Sequence, residues 1–336
     1  MPLSRPRAFV RNRTVHILAA TVVITAIALT LGPTALSRGS LNQLTSLMLL
    51  IALALAWNLI GGMAGQFSLG HSIFVGIGAY GTAMMLRMLG TPLLLTVIVA
   101  GALSAVIGVL LAYPLLRLRG PYLAIGSLGM ALAAYGWMIN WDFTGASSSL
   151  PIPRPGLLAI DTLFVWATTL AAATFIAVVL TARSPLGLRL TALRDDEFGA
   201  ASLGVRRVRT LIPVWALSGF LSGLVGAVYG LQQGSLTVDA AFSIQFSLDA
   251  AIICVLGGLG TLGGPVVGAV LVFYLRFYSA DYSNLALLIE AIVVVLVVRF
   301  FPGGVVGLVG EAVRRIRSVA GGRRKSDADT PESVHS

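Results

Sequence analysis

Apolar residues run along this chain in long, nearly unbroken blocks, with polar residues confined to the gaps between them. A bilayer crossing needs about 20 mostly apolar residues in helical form. Blocks of that length fall at 15–32, 41–61, 67–89, 92–116, 122–140, 162–182 and 210–232. A longer stretch, 245–279, is interrupted by the glycine cluster GGLGTLGGP at 257–265, and a last block covers 284–301. Two short spans within the interrupted stretch make ten crossings, whereas a re-entrant pair leaves eight. Both counts are even, so both termini share a side. The pattern predicts an all-α, polytopic membrane protein: a short N-terminal segment (1–14), a membrane domain (15–310) and a tail (311–336).

Composition agrees. Of the 336 residues 57% are hydrophobic and 11% charged, with a mean hydropathy of +0.92. A soluble domain carries about 25% charged residues. Too little polar surface exists here to wrap a core in water. The net charge of +10 is not a nucleic-acid signature, because the arginines cluster at span ends, with Lys325 the only lysine. Arg5, Arg7, Arg11 and Arg13 precede the first block, Arg117 and Arg119 follow the fourth, and six arginines lie between Arg183 and Arg209. A further basic group runs from Arg314 to Lys325. Basic residues mark cytoplasmic loops, so both termini and the 183–209 loop are expected in the cytoplasm. Ala35-Leu36-Ser37 resembles a signal-peptide cleavage site, but removing the first block would place basic segments on the wrong side; an uncleaved helix is the reading adopted. The tail reads as a solvated, disordered cytoplasmic end.

Residues 66–82, QFSLGHSIFVGIGAYGT, match 245–261, QFSLDAAIICVLGGLGT, at eight of 17 positions. On the expected topology the two copies begin on opposite sides of the membrane, which makes them an inverted repeat. Transporters use such repeats, with the pathway near the midplane between them. Gly76, Gly78, Gly257, Gly258 and Gly260 are candidate helix breaks, tolerated where backbone is shielded from lipid. The polar residues in these segments, Gln66, Ser68, His71 and Ser72 with Gln245, Ser247 and Asp249, are candidate pathway residues. His71 and Asp249 fit an interhelical contact equally well. Glu290, deep in the last block, reads as structural, whether paired with Arg276 or Arg299, neutral, or bound to a neighbouring helix.

No G-x-x-x-x-G-K-[ST] phosphate loop occurs, nor H-E-x-x-H, nor G-x-S-x-G, so no ATPase, zinc-protease or serine-hydrolase motif is present. The lone Cys254 cannot form an internal disulfide, and no cofactor is expected on the chain. Residues 184–211, SPLGLRLTALRDDEFGAASLGVRRVRTL, begin with Ser184-Pro185 closing the sixth block. From Arg194, Asp195, Asp196 and Glu197 the loop is expected to run as one short amphipathic helix through Leu203, with Gly204 as its cap. Chemistry alone leaves this loop either solvated or docked to a soluble partner.

The loop resembles the coupling loop of permeases in the branched-chain amino acid ABC importer family, the LivH/LivM type. NLIGGMAGQFSLGHSIFVGIGAYGTAMML (58–86), GPYLAIGSLGMALAAYGWMIN (120–140), TGASSSLPIPRPG (144–156), VLGGLGTLGGPVVGAVL (255–271) and RFFPGGVVGLVG (299–310) are similar to the same family. The long N-terminal block looks more like the LivM-type subunit. One departure is that residues 128–134 lack the acidic residue many members carry there. The resemblance implies a bacterial inner-membrane permease that pairs with a second permease, with ATP and magnesium bound by two cytoplasmic ATPase subunits. An extracytoplasmic binding protein would deliver the substrate, a branched-chain or other amino acid, with urea and short amides as alternatives. The competing class is a self-sufficient secondary transporter or channel, for which Asp249 and Glu290 would be the intramembrane carboxylates.

Overall fold

The computed structural model describes residues 7–141, 149–153 and 156–279, with 288, 291–292, 295–296, 299 and 303–307 beyond them. The fragments beyond 279 leave most of the last block undescribed, and Arg154, Glu290 and the 311–336 tail lie outside the described residues.

The chain folds as a helical membrane protein. The helices are α1 (Arg7–Ala35), α2 (Arg38–Asn58, continued by a π-turn, Leu59–Met63), α3 (His71–Leu89), α4 (Leu93–Leu115), α5 (Pro121–Ile139) and α6 (Ile160–Arg183). Two short helices follow, α7 (Pro185–Asp195) and α8 (Glu197–Ser202), then α9 (Arg207–Gln233), α10 (Val238–Ala241), α11 (Gln245–Gly257) and α12 (Gly264–Ser279). Among the described residues seven helical stretches are long and apolar enough to cross a membrane, the last being Val238–Gly257, which joins α10 and α11. Local signals set the ends. Ser37 caps α2 by accepting from the Ser40 N–H, and Pro121 opens α5 where its missing N–H costs nothing. Gly90 and Gly234, at φ 55° and 69°, close α3 and α9 in the left-handed conformation.

Side-chain contacts give the helix directions. Gln232 on α9 donates to Asn42 of α2, while Ser218 donates to the Ala56 carbonyl, so α2 and α9 are antiparallel. Val75 meets Gly226 and Ala79 meets Gly230, so α3 runs parallel to α9. Cys254 reaches the Ala54 carbonyl and Asn58 reaches the 260–261 turn, so α11 runs parallel to α2. The two repeat copies therefore lead into helices of opposite direction. At one end β1 (Leu150–Pro151) pairs antiparallel with β2 (Ser235–Leu236). The other end collects Arg117, Arg119, Arg183, Arg189, Arg194, Arg206, Arg207 and Arg209.

The polarity is that of a membrane protein. Leu94, Leu110, Ile125 and Trp137 stand exposed around the outside, while Asn58, Ser68, His71, Ser104, Ser218, Ser247 and Asp249 are buried. Small residues let the backbones close in, as packing without a hydrophobic drive between helices requires. A Cβ on Gly226 would lie 2.0 Å from the Val75 carbonyl oxygen, and one on Gly78 2.0 Å from that of Gly223. A Cβ on Gly76 would strike the Phe242 ring. This corrects the expectation that Gly76 and Gly78 break a helix, because α3 passes through both unbroken. They are close-packing positions instead. The glycine cluster of the second copy does break one: α11 ends at Gly257, and Gly258 (φ 125°) and Gly260 (φ 72°) turn the chain between α11 and α12. These two pair as an antiparallel hairpin, with Gly257 against Gly264 and Gly268 against the Ile253 carbonyl. The interrupted stretch is thus two packed helices whose turn reaches the arginine-rich end.

Gly226→Ala should lower the melting temperature of the purified protein, by the equivalent of roughly 1–3 kcal/mol for an overpacked contact. Gly129→Ala, where a Cβ meets nothing within 4 Å, should leave it unchanged. A thermal melt of both variants in detergent checks this, and equal melting points would contradict the packing described.

Candidate functional site

The polar interior begins where α2 loses its regular helix. After the π-turn the chain leaves helical form over residues 64–70 and re-enters it at His71, in the protein interior. The expectation that 67–89 is helical throughout fails at its first four residues. Gly65 sits at φ 67°, and a Cβ there would lie 2.8 Å from Arg194 Cγ. Every exposed backbone group inside a bilayer needs a partner, and this segment finds them in side chains. The Trp57 Nε1–H donates to the Ser68 carbonyl (2.7 Å), the Leu69 N–H to Ser127 Oγ (2.9 Å) and the Gly70 N–H to Ser68 Oγ (3.2 Å).

At the start of α3 the Ser72 N–H donates to Ser247 Oγ (2.9 Å), joining the two repeat copies directly. His71 Nε2 lies 2.9 Å from Ser218 Oγ, and that hydroxyl is 2.7 Å from the Ala56 carbonyl. A hydroxyl has one proton, which goes to the carbonyl. His71 must therefore donate from Nε2, leaving Nδ1 as a buried acceptor without a partner. The Ser72 and Ser222 hydroxyls are likewise buried and unpartnered. Trp57, His71, Phe74 and Trp215 form a chain of tilted and edge-to-face ring contacts around this cluster.

The other pathway residues separate from it. Gln66 does not stand with His71; its Oε1 accepts from Arg207 Nη2 (2.9 Å) at the arginine-rich end. Asp249 accepts two bonds from Arg276 (2.6 and 2.7 Å) and one from Gln245 Nε2 (2.6 Å). Arg276 thus pairs with Asp249 across the α11–α12 hairpin, and the bidentate geometry is that of a structural clamp.

The loop predicted as one helix is two. Asp196 leaves helical geometry (φ −155°, ψ 106°) and caps α8 by accepting from the Phe198 N–H, so Arg194 and Asp195 end α7 rather than open the next helix. Ser184 both terminates α6 and caps α7. Leu203 and Gly204 (φ 84°) form the exit from α8, with Leu203 85% exposed. Leu188 and Phe198 are exposed as well.

This loop touches both broken segments. Arg194 Nη1 donates to the Gly62 carbonyl of the π-turn (3.3 Å) and lies against Gly260. Glu197 pairs with Arg119 (3.2 Å) and Arg207 (3.5 Å). Arg207 in turn donates to the Leu116 carbonyl (2.5 Å), the Leu118 carbonyl (3.1 Å) and Gln66. Asn58 clamps the glycine turn, donating to the Thr261 carbonyl and accepting from the Gly260 N–H, each at 3.0 Å. Sequence reasoning assigned no role to Asn58, Ser127, Arg207 or Ser218. Asn58 and Ser218 were legible only as polar residues inside apolar blocks, and Arg207 looked like one of several topology markers. Among the described residues no group of three or more His, Cys, Asp or Glu side chains could hold a metal ion.

Comparison with known proteins adds the family. The family described as branched-chain amino acid transport system, permease component, matches residues 39–309. The chain is 30% identical over 302 residues to the high-affinity branched-chain amino acid transport system permease protein LivM of Salmonella typhimurium, covering 81% of this chain and 71% of that one. It is 28% identical to LivM of Escherichia coli over the same shares. The galactose/methyl galactoside import permease protein MglC of Salmonella typhimurium is 28% identical over 78% of this chain and 84% of its own. No solved structure matches.

Two outcomes follow from the bonding. Arg207→Gln should raise amide hydrogen exchange across residues 64–70 by about tenfold or more, since charge-assisted bonds contribute about 1.5–3 kcal/mol each. Unchanged exchange there would mean that the guanidinium does not hold the segment. Asp249→Ala should cost roughly 2–4 kcal/mol, short of a fully buried pair because the Arg276 side chain is 33% exposed. The pair Asp249→Leu/Arg276→Met should recover most of that loss in a thermal melt.

Proposed function

We propose, from the premise that the chain belongs to the family of branched-chain amino acid transport system permease components, that it is the membrane-spanning subunit of an ATP-driven importer for branched-chain amino acids. Its arginine-rich end then faces the cytoplasm, following the positive-inside rule. ATP and magnesium belong to two cytoplasmic ATPase subunits, and a second permease completes the path. An extracytoplasmic binding protein delivers substrate. The chain itself carries out no chemistry; it alternates access.

The observation that carries the reading is the contact of the 184–206 loop with both repeat copies, direct at the Gly260 turn and through Arg207 at Gln66. Arg194 touches the Gly62 carbonyl and the Gly260 turn, while Glu197 reaches the 64–70 segment through Arg207 and Gln66. A push on α7 and α8 from an ATPase would move the irregular segments ahead of α3 and after α11 together. Exposed Leu188 and Phe198, beside Asp195, form the contact face. Glu197 and Asp196 serve the loop's own structure, so they transmit rather than touch the partner.

The substrate assignment rests on the two LivM relatives and on chemistry. A cavity of about 460 Å³ between α3, α4 and α5 is lined by Ile73, Ile77, Met130, Trp137 and Phe242, with no charged side chain. Such a lining suits an aliphatic side chain and offers a sugar, urea or a short amide few hydrogen-bond partners. The secondary-transporter alternative loses support, because Asp249 already gives both oxygens to Arg276.

Phe198→Asp should strip co-purifying ATPase subunits from the tagged chain and abolish leucine uptake, with membrane insertion and melting temperature intact. Normal co-purification would remove the docking role. For the whole reading, purification in mild detergent should bring down a second permease and two ATPases, and proteoliposomes of that assembly should take up leucine ahead of galactose. A well-folded chain that comes away alone and transports on an ion gradient would overturn it.

A further inference from the structure

Beyond the transport path, the arginine-rich end carries a pocket for which the bonding described above has no use. A cavity of about 290 Å³ lies between α7 and the start of α9, lined by Arg189, Leu203, Gly204, Arg206, Arg209 and Thr210. The neighbouring cations are committed: Arg119 and Arg207 to Glu197, Arg194 to Asp195. The side chains of Arg189, Arg206 and Arg209 have no ion-pair or hydrogen-bond partner among the described residues. Three like charges facing one concavity make a positive potential that favours an anion there. The same cavity meets the amino end of a 27-residue helix, where Arg206 supplies no side-chain cap to the first-turn N–H groups.

We propose that this pocket binds the phosphodiester headgroup of an anionic phospholipid. The depth is right, because α9 begins its crossing at Arg207 and Arg209 sits in its first turn. One turn further, Pro213 is exposed on the side that Arg209 occupies, and Leu203, 85% exposed, lines the mouth. Guanidinium groups meeting phosphate beside apolar surface is the chemistry of a lipid at the cytoplasmic leaflet. The ATPase contact proposed above, at Phe198 and Asp195, lies at the opposite end of α8, so one end of that helix would dock the ATPase while the other rests on lipid. The inference does not depend on the identity of the transported substrate.

Native mass spectrometry of the full chain, with whatever subunits co-purify, tests it in micelles holding equal phosphatidylglycerol and phosphatidylcholine. The wild type should retain phosphatidylglycerol at least about fivefold over phosphatidylcholine. Arg189→Gln/Arg206→Gln/Arg209→Gln should abolish that preference, and Arg209→Gln alone, at an exposed position, should reduce it if the triple variant folds poorly. Arg38→Gln, at the other end of the molecule, should leave it unchanged. Equal retention of the two lipids by the wild type, or an unchanged preference in the variants, overturns the proposal. So does displacement of the lipid by millimolar inorganic phosphate, which would mark a free-anion site. Loss of ATPase subunits from the variants with lipid retention intact overturns it in favour of an acidic protein partner.

Discussion

Backbone amides and carbonyls cannot go unpaired where water is excluded, and this molecule leaves helical form where its chain is packed among the spans. Two segments, 64–70 and 258–263, leave helical form among packed spans. Each then depends on side chains from elsewhere in the chain. Trp57 and Ser127 serve the first, and Asn58 serves the second from the end of α2. Because α2 supplies partners to both, the two irregular segments are held by one helix end and cannot shift independently. That dependence sets the site: the polar residues of the interior lie where the helices are interrupted.

Close helix packing makes such an arrangement stable. The α3–α9 contact brings backbones together at Gly78, Gly223 and Gly226, and the α11–α12 hairpin does so at Gly257, Gly264 and Gly268. Rigid pairs of this kind move as units. The arginine-rich loop touches the segments between those units rather than the units themselves, through Arg194 and Arg207. A guanidinium is suited to that role, since its fork of donors holds several carbonyls at once. Arg207 spans Leu116, Leu118, Gln66 and Glu197, four points on three parts of the chain.

The repeat shows how much local sequence leaves undecided. QFSL at 66–69 is irregular, with its Gln tied to Arg207, whereas QFSL at 245–248 opens α11, with its Gln tied to Asp249. The glycines at 78 and 81 lie within a continuous helix; their counterparts at 257 and 260 end one and turn the chain. Glycine permits a helix, a close contact or a positive φ almost equally. Which of these occurs depends on the neighbour, here α9 against α3 in the first copy and the clamp from Asn58 in the second.

What the sequence determined by itself was the membrane class, the position of most spans, the sorting of arginines to one end and the opposed direction of the repeats. These follow from hydropathy and charge, which act on each segment separately. The tertiary structure decided that Gln66 leaves the company of His71, that Asp249 is matched with Arg276, and that the loop after Arg183 is two helices hinged at Asp196. It also singled out Arg207 from a row of similar arginines. A hydrogen bond or ion pair needs two groups within about 3 Å, and chain positions as far apart as 66 and 207 meet only once the helices have packed.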